Sequence, residues 1–294
     1  MPIRFGSTCA RLGAMPLKIP ALACNAHCHV FGPRAAFPYP DGAPFVPQHD
    51  APKEALFALN DGLGLTRCVV VQSSCHVFDN RAAQDAIAAR PRDYRGVALL
   101  PTDVSDVELR RLDVAGFRGV RFNFMGHLGN AAPIADVMAL AKRLVPLGWH
   151  LQVHGDPHRL LALAPQWQAS PVPVVIDHIG RVDAGAGLAD LAFQALLQLM
   201  QHAHIWIKVS GMDRISRAGP PYADAQPFAR LLVAEFGDRV VWGNDWPHPN
   251  HAGPVPDEQQ LLDLVAEIAP DDGARQRLLV DNPQRLYRFA EARS

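Results

Sequence analysis

Two histidines one residue apart, in the stretch Asn25-Ala26-His27-Cys28-His29, are the first residues in this chain whose type and spacing suit chemistry. Imidazole handles protons near neutral pH and is the commonest side-chain ligand for metals. The pair closes the first apolar run, residues 21–24. If that run is a strand, side chains alternate between its faces, so Asn25, His27 and His29 share one face while Ala26 and Cys28 take the other. Two imidazoles then converge on one point, where they could hold a metal ion or handle a proton. With 13 histidines in the chain such a spacing also arises by chance. The assignment therefore depends on what the rest of the chain brings to the same place.

The elements that would position them repeat one phrase, a β-branched apolar run ending in polar residues and then a longer amphipathic segment. The runs are 68–74 (CVVVQSS), 96–101 (GVALLP), 119–124 (GVRFNF), 150–154 (HLQVH), 172–178 (VPVVIDH), 205–210 (IWIKVS) and 240–245 (VVWGND). With the first strand they make eight. Helical patterning falls on 53–63, 81–90, 105–115, 133–147, 188–202 and 227–236, then on 257–268, 271–280 and a short last helix through Phe289, capped by Asp281-Asn282-Pro283. Alternation of this kind implies a parallel sheet, and eight units imply an α/β fold, the (β/α)8 TIM barrel. An open doubly wound sheet is the alternative, but no G-x-G-x-x-G follows the first strand, which argues against a dinucleotide site. The expected organisation is a lead-in over residues 1–20 and a single barrel domain over 21–294. A long loop follows the first strand: prolines at 33, 38, 40, 44, 47 and 52 exclude a regular helix. Its length and its aromatics Phe37, Tyr39 and Phe45 predict that it folds over a site.

Composition narrows the partner. In 294 residues, 28 basic and 29 acidic side chains are dispersed along the chain, leaving a net charge of -1 and no electrostatic footprint for nucleic acid or an anionic membrane. No apolar run approaches the roughly 18 residues of a membrane span. The lead-in carries Arg4, Arg11 and Lys18 without a continuous apolar core, so no secretory signal is read. Five cysteines, at 9, 24, 28, 68 and 75, are an odd number without C-x-x-C spacing and read as reduced thiols of a cytoplasmic protein. The expected partner is a small molecule. The oligomeric state is left open, a homo-oligomer among the options.

In such a barrel the C-terminal ends of the strands meet around one site. Here they carry His27 and His29 (strand 1), Ser74 (2), Arg121 and Asn123 (4), His154 (5), Asp177 or His178 with Arg181 (6), Lys208, Ser210 and Arg214 (7) and Asp245 (8). Each alone has an ordinary explanation in a hydrogen bond or a turn. Together, histidines and an aspartate on strands 1, 5, 6 and 8 form one polar rim. Three arginines among them, in a nearly neutral protein, argue for a planar anionic substrate whose carboxylates match the guanidinium fork.

The H-x-H of strand 1, His178 on strand 6 and Asp245 on strand 8 resemble the amidohydrolase superfamily. The wording around them is closest to its 2-pyrone-4,6-dicarboxylate lactonase branch: HCHVFGP at 27–33, QSSCH at 72–76 with DNR at 79–81, GVRFNF at 119–124, DHIGR at 177–181, KVSG at 208–211 with Asp213-Arg214, and WGNDWPHPN at 242–250. The resemblance runs from about residue 21 to the C-terminus. It implies that His27, His29 and His178 hydrogen-bond or polarise a lactone carbonyl and that Asp245 activates water. It also implies that Ser74, Arg121, Arg181, Arg214 and Asn250 hold substrate carboxylates. Donors placed where an ester carbonyl becomes an oxyanion are often the largest catalytic contribution, and a carboxylate within reach of a water can take its proton.

The chain departs from the branch at three positions, of which two, 45 and 127, fall on substrate recognition. Phe45 stands where the dicarboxylate lactonases have a tyrosine, His127 where they have a second arginine six residues beyond that of strand 4, and Asn25 where an aspartate commonly precedes H-x-H. The expected substrate is therefore a 2-pyrone-4,6-dicarboxylate-like lactone or a related sugar-acid lactone or muconolactone, with one carboxylate or a differently placed one. The branch works without metal, so no cofactor is the favoured reading. Most of the superfamily binds divalent ions, and the alternative is a zinc ion on His27, His29, His154 and Asp245. That would make the chain a metal-dependent decarboxylase or hydrolase of an aromatic or muconate-type acid. A barrel that binds anions without catalysis is the third option.

Overall fold

The computed structural model describes residues 17–126, 132–251 and 253–291. Most of the lead-in and His127 lie outside the described residues. All eight expected strands form: β1 Cys24–Cys28, β2 Arg67–Val71, β3 Tyr94–Ala98, β4 Phe117–Phe124, β5 His150–Gly155, β6 Val174–Ile176, β7 Ile205–Lys208 and β8 Val240–Val241. They lie in one parallel sheet in chain order. Backbone hydrogen bonds from Ala26 N to Trp242 O (2.8 Å), from Asp245 N to His27 O (2.9 Å) and from His29 N to Trp246 O (2.8 Å) join the segment after β8 to β1 and close the barrel. Gly243 permits this approach, because a Cβ there would lie 2.4 Å from the His27 nitrogen.

The helices are α1 Lys53–Gly62, α2 Arg81–Ala89, α3 Asp106–Val114, α4 Ile134–Leu144, α5 Pro157–Ala162, α6 Ala164–Gln168, α7 Leu191–Leu199, α8 Met212–Ile215, α9 Gln226–Phe236, α10 Glu258–Ile268, α11 Asp272–Gln276 and α12 Asn282–Tyr287. The expected helix 133–147 stops at Leu144, where Pro146 tightens the chain into a 3-10 turn, and the expected helix 271–280 splits into α11 and a π turn, Arg277–Asp281. Helices α5 and α6 escape the sequence pattern because Pro157 and Pro165 start each one and cut the apolar period short. No helix of the described residues is long and apolar enough to cross a membrane.

The core has two parts. Leu56, Val70, Ile87, Leu112, Leu140, Phe193 and Leu232 belong to the layer between strands and helices. Cys24, Ala26, Val69, Val71, Val97, Val175, Val241 and Tyr287 of α12 form the second cluster, inside the barrel.

One expectation about β1 needs correction. The register of β1 on β2 pairs Asn25 with Cys68 but Cys28 with Val70, so three steps on β1 match two on β2. This is a β-bulge, and it breaks strict alternation. Asn25 turns away from the histidines to bond Asn60 of α1 (3.2 Å) and Asn244 (2.8 Å). Ala26 joins the interior cluster, and His27 and His29 still face one site.

Candidate active site

Asp245 stands where the chain leaves β8, in a left-handed backbone conformation (φ 66°). Its two oxygens have different company. Oδ2 accepts from Arg214 Nε (3.0 Å) and Nη2 (2.7 Å). Oδ1 faces the Nε2 atoms of three histidines: His29 at 3.1 Å, His27 at 3.5 Å and His178 at 3.9 Å. Burial pushes the Asp245 carboxyl up, but Arg214, then His178, His29 and His27, more than reverse this and hold it well below the usual carboxylate range. Asp245 is therefore an anion at neutral pH.

Each histidine is also held from behind. His29 Nδ1 donates to the Val71 carbonyl (2.8 Å), and His178 Nδ1 lies 3.0 Å from Ser210 Oγ. Gly211 lets the chain pass under His178, since a Cβ there would sit 2.8 Å from that ring. His27 Nδ1 receives a hydrogen bond from Lys208 Nζ (3.2 Å). Burial, with Lys208 next, lowers the His27 pKa to about 3, so its ring is neutral. Burial also lowers Lys208, to about 8.

Asp177 and His178, which the sequence leaves as alternatives, both belong to the site and do different work. Asp177 Oδ2 accepts from Arg121 Nε (2.9 Å) and Gln152 Nε2 (3.0 Å) below the pocket. Burial opposes its charge, but the cations Arg121 and Lys208 hold its carboxyl well below the usual carboxylate range. His178 reaches the pocket because the backbone turns left-handed there (φ 51°).

Above Asp245 lies a small cavity, about 80 Å³, lined by His29, Phe45, Ser74, Arg121, His154, His178, Arg181, Arg214, Asp245 and Asn250 among others. Of the strand-end and loop candidates named from the sequence, His27, Asn123, Asp177, Lys208 and Ser210 do not line it, His27 lying beneath it against Asp245, and His127 is outside the described residues. A wider hollow of about 810 Å³ shares Ser74 and Arg121 with it and reaches Pro44 of the long loop. That loop is pinned at its base by paired backbone bonds between Phe31 and Ala51.

The cations of the wall are not equivalent. Arg214 is engaged by Asp245 and Arg121 by Asp177, whereas Arg181 has no ion-pair partner among the described residues, and burial lowers its pKa. Ser74 Oγ accepts from Asn123 Nδ2 (3.2 Å), and Asn123 Oδ1 in turn lies 3.2 Å from His154 Nδ1. The sequence reading missed Gln152 and the support behind Asp245, where Asn244 donates to Glu258 (2.6 Å) and Glu258 pairs with His248 (2.9 Å). Gln152 was detectable in principle, since it shares a face of β5 with His150 and His154. Glu258 lies on a later helix and carries no local signal.

Metal-type donors cluster in two groups among the described residues, His27 with Asp177 and His178, and His27 with His29 and Asp245. His154 is in neither. Ligating histidines as a rule donate their far N–H to a carboxylate, carbonyl or water. His29 does so, to Val71 O. His27 does not: its far nitrogen faces an ammonium, and Asp177 Oδ1, 3.4 Å away, makes no hydrogen bond with it. The donor types fit a divalent ion, but the setting of His27 does not.

Residues 24–289 match the family model described as Amidohydrolase. The chain is 45% identical to a 2-pyrone-4,6-dicarboxylate hydrolase of Comamonas testosteroni, over 92% of this chain and 91% of that one. It is 39% identical to a 4-sulfomuconolactone hydrolase of Rhizobium radiobacter, over 95% and 94% of the two. The crystal structure of an Acinetobacter baumannii protein with citric acid bound superposes with a TM-score of 0.81 at 28% identity, covering 91% of this chain and 100% of that one. With the barrel, the strand-end histidines and Asp245 in place, this chain belongs to the amidohydrolase family.

Proposed function

We propose that the chain is a hydrolase that opens a carboxylate-bearing lactone with a water activated by Asp245. The observation that carries this reading is the carboxylate oxygen Asp245 Oδ1 ringed by three imidazole Nε2 atoms at 3.1 to 3.9 Å, beside Arg181, which has no ion-pair partner among the described residues. Both relatives named above act, by their names, on lactones bearing acidic groups. Arg181 and the free edge of Arg121 bind the carboxylate with Ser74 and Asn250, and Phe45 covers the ring. His27, His29 and His178 surround the carbonyl that becomes an oxyanion on attack. Asp245, kept ionised by Arg214, accepts the water's proton. Arg214 thus serves the base rather than the substrate.

The chemistry runs on the chain's own donors and needs no metal in this reading, which the hydrogen bond from Lys208 to His27 supports. The test is ring opening, followed by loss of lactone absorbance, on a panel of pyrone dicarboxylate, sulfonated or carboxylated muconolactones and sugar-acid lactones, before and after chelation. Chelator-resistant hydrolysis of an acidic lactone is the expected result. Release of CO₂ without ring opening, or activity that disappears with about one equivalent of removed zinc, would overturn it.

A further inference from the structure

Lys208 ends β7 in the barrel interior, fully buried, at a position that the proposed reaction does not itself use. Its ammonium makes three short contacts: Ala26 O at 3.0 Å, Gln152 Oε1 at 2.9 Å and His27 Nδ1 at 3.2 Å. The β1 bulge supplies the first of these by turning the Ala26 carbonyl inward. An ammonium has three N–H donors and no lone pair, so each of the three partners must accept. Two are carbonyl oxygens. The third, His27 Nδ1, must then present its lone pair, and a neutral imidazole that accepts at Nδ1 carries its proton on Nε2. The competing acceptor Asp177 Oδ1 lies 3.4 Å from the same nitrogen, outside good hydrogen-bond geometry, and 3.7 Å from the Lys208 ammonium. On the opposite side of the ring, Nε2 is buried and without a hydrogen-bond partner among the described residues.

We propose that Lys208 is a positioning residue that locks His27 in its Nε2–H tautomer, so that the nitrogen facing Asp245 Oδ1 is a hydrogen-bond donor toward an oxygen, not a lone pair waiting for a metal. Toward the substrate this rests on the lactonase reading above. The tautomer itself does not.

The experiment is a long-range ¹H–¹⁵N correlation on histidine-labelled protein, with the His27 signals assigned by their loss in His27→Gln. The pattern of a ring protonated at Nε2 is expected in the native protein, and a ring protonated at Nδ1 overturns the proposal even if Lys208→Met does not fold. In folded Lys208→Met the proton should move to Nδ1, toward Asp177, with kcat down by about tenfold or more and KM within about threefold. Zinc uptake at equilibrium should rise by about tenfold, since a ligating imidazole needs that lone pair. An Nε2–H ring that persists without Lys208 overturns the proposal. Failure to open any lactone while His27 shows Nε2–H in the native protein would sink the lactonase reading and leave the tautomer assignment standing. Hydrolysis by an Nδ1–H enzyme would do the reverse.

Discussion

Arg214 places two nitrogens on a single oxygen of Asp245, at 3.0 and 2.7 Å, and leaves the other oxygen to the histidines. Asp245→Asn keeps the shape and an oxygen for Arg214 but removes the proton acceptor. Turnover should fall by about 10²- to 10⁴-fold, the usual contribution of a general base, while the circular dichroism spectrum is unchanged. A variant retaining more than half of wild-type kcat would end the assignment of Asp245 as base.

The two pocket arginines should separate in mutagenesis. Arg181 is half-buried with no carboxylate partner among the described residues, so Arg181→Met should raise KM by about 10- to 100-fold and leave the melting temperature unchanged or higher. Arg121 neutralises the buried Asp177, and Arg121→Met strands that charge, at a cost of about 3–5 kcal/mol. Denaturant titration and steady-state kinetics on both variants test the contrast, and equal stability losses would refute it.

Acid should destabilise the protein well above the carboxylate range. His150 is fully buried at the start of β5, and burial, with Lys208 next, lowers its pKa to about 3. The unfolded chain takes up a proton near pH 6.5 while the folded ring stays neutral until about pH 3, so stability falls as pH drops through that window. One such proton steepens the fall by up to about 1.4 kcal/mol per pH unit. His27 acts in the same direction, and the depressed Asp177 and Asp245 add a further loss at the acid end. Urea titrations between pH 4 and 7 should show a shallower slope for His150→Phe than for wild type, and parallel slopes would refute the role of His150.

Closure of the barrel should be intolerant of one methyl group. In Gly243→Ala the new Cβ meets the backbone of His27 at 2.4 Å, with no flexible side chain to give way. Loss of at least about 2 kcal/mol and of activity together is expected. A stable but inactive variant would show that the strand contact serves the site alone.

The eight apolar runs were legible because a buried parallel strand reads as a continuous β-branched stretch, and the runs 68–74 and 240–245 carried both the strand and its polar end. Much of the candidate site was legible too, since Ser74, His178 and Asp245 close such a run, Arg121 lies within one, and Arg181 and Arg214 come three or four residues after one. What the sequence did not carry is pairing. Nothing local tells that Arg214 turns to Asp245 and Arg121 to Asp177, leaving Arg181 without an ion pair among the described residues, because each pairing joins different strand ends. Strict alternation also misplaced Asn25, since a bulge is a property of two strands in register and β1 alone does not reveal it.

The backbone bond from Asp245 to His27 spans most of the chain, and His29 meets Asp245 across 216 positions. A growing or refolding chain therefore has no catalytic centre while its first seven strands assemble. The centre requires the contact of the last strand with the first, whose very high sequence separation makes its formation slow. Regain of lactonase activity after dilution from denaturant would then report barrel closure itself, where the return of helical signal would not.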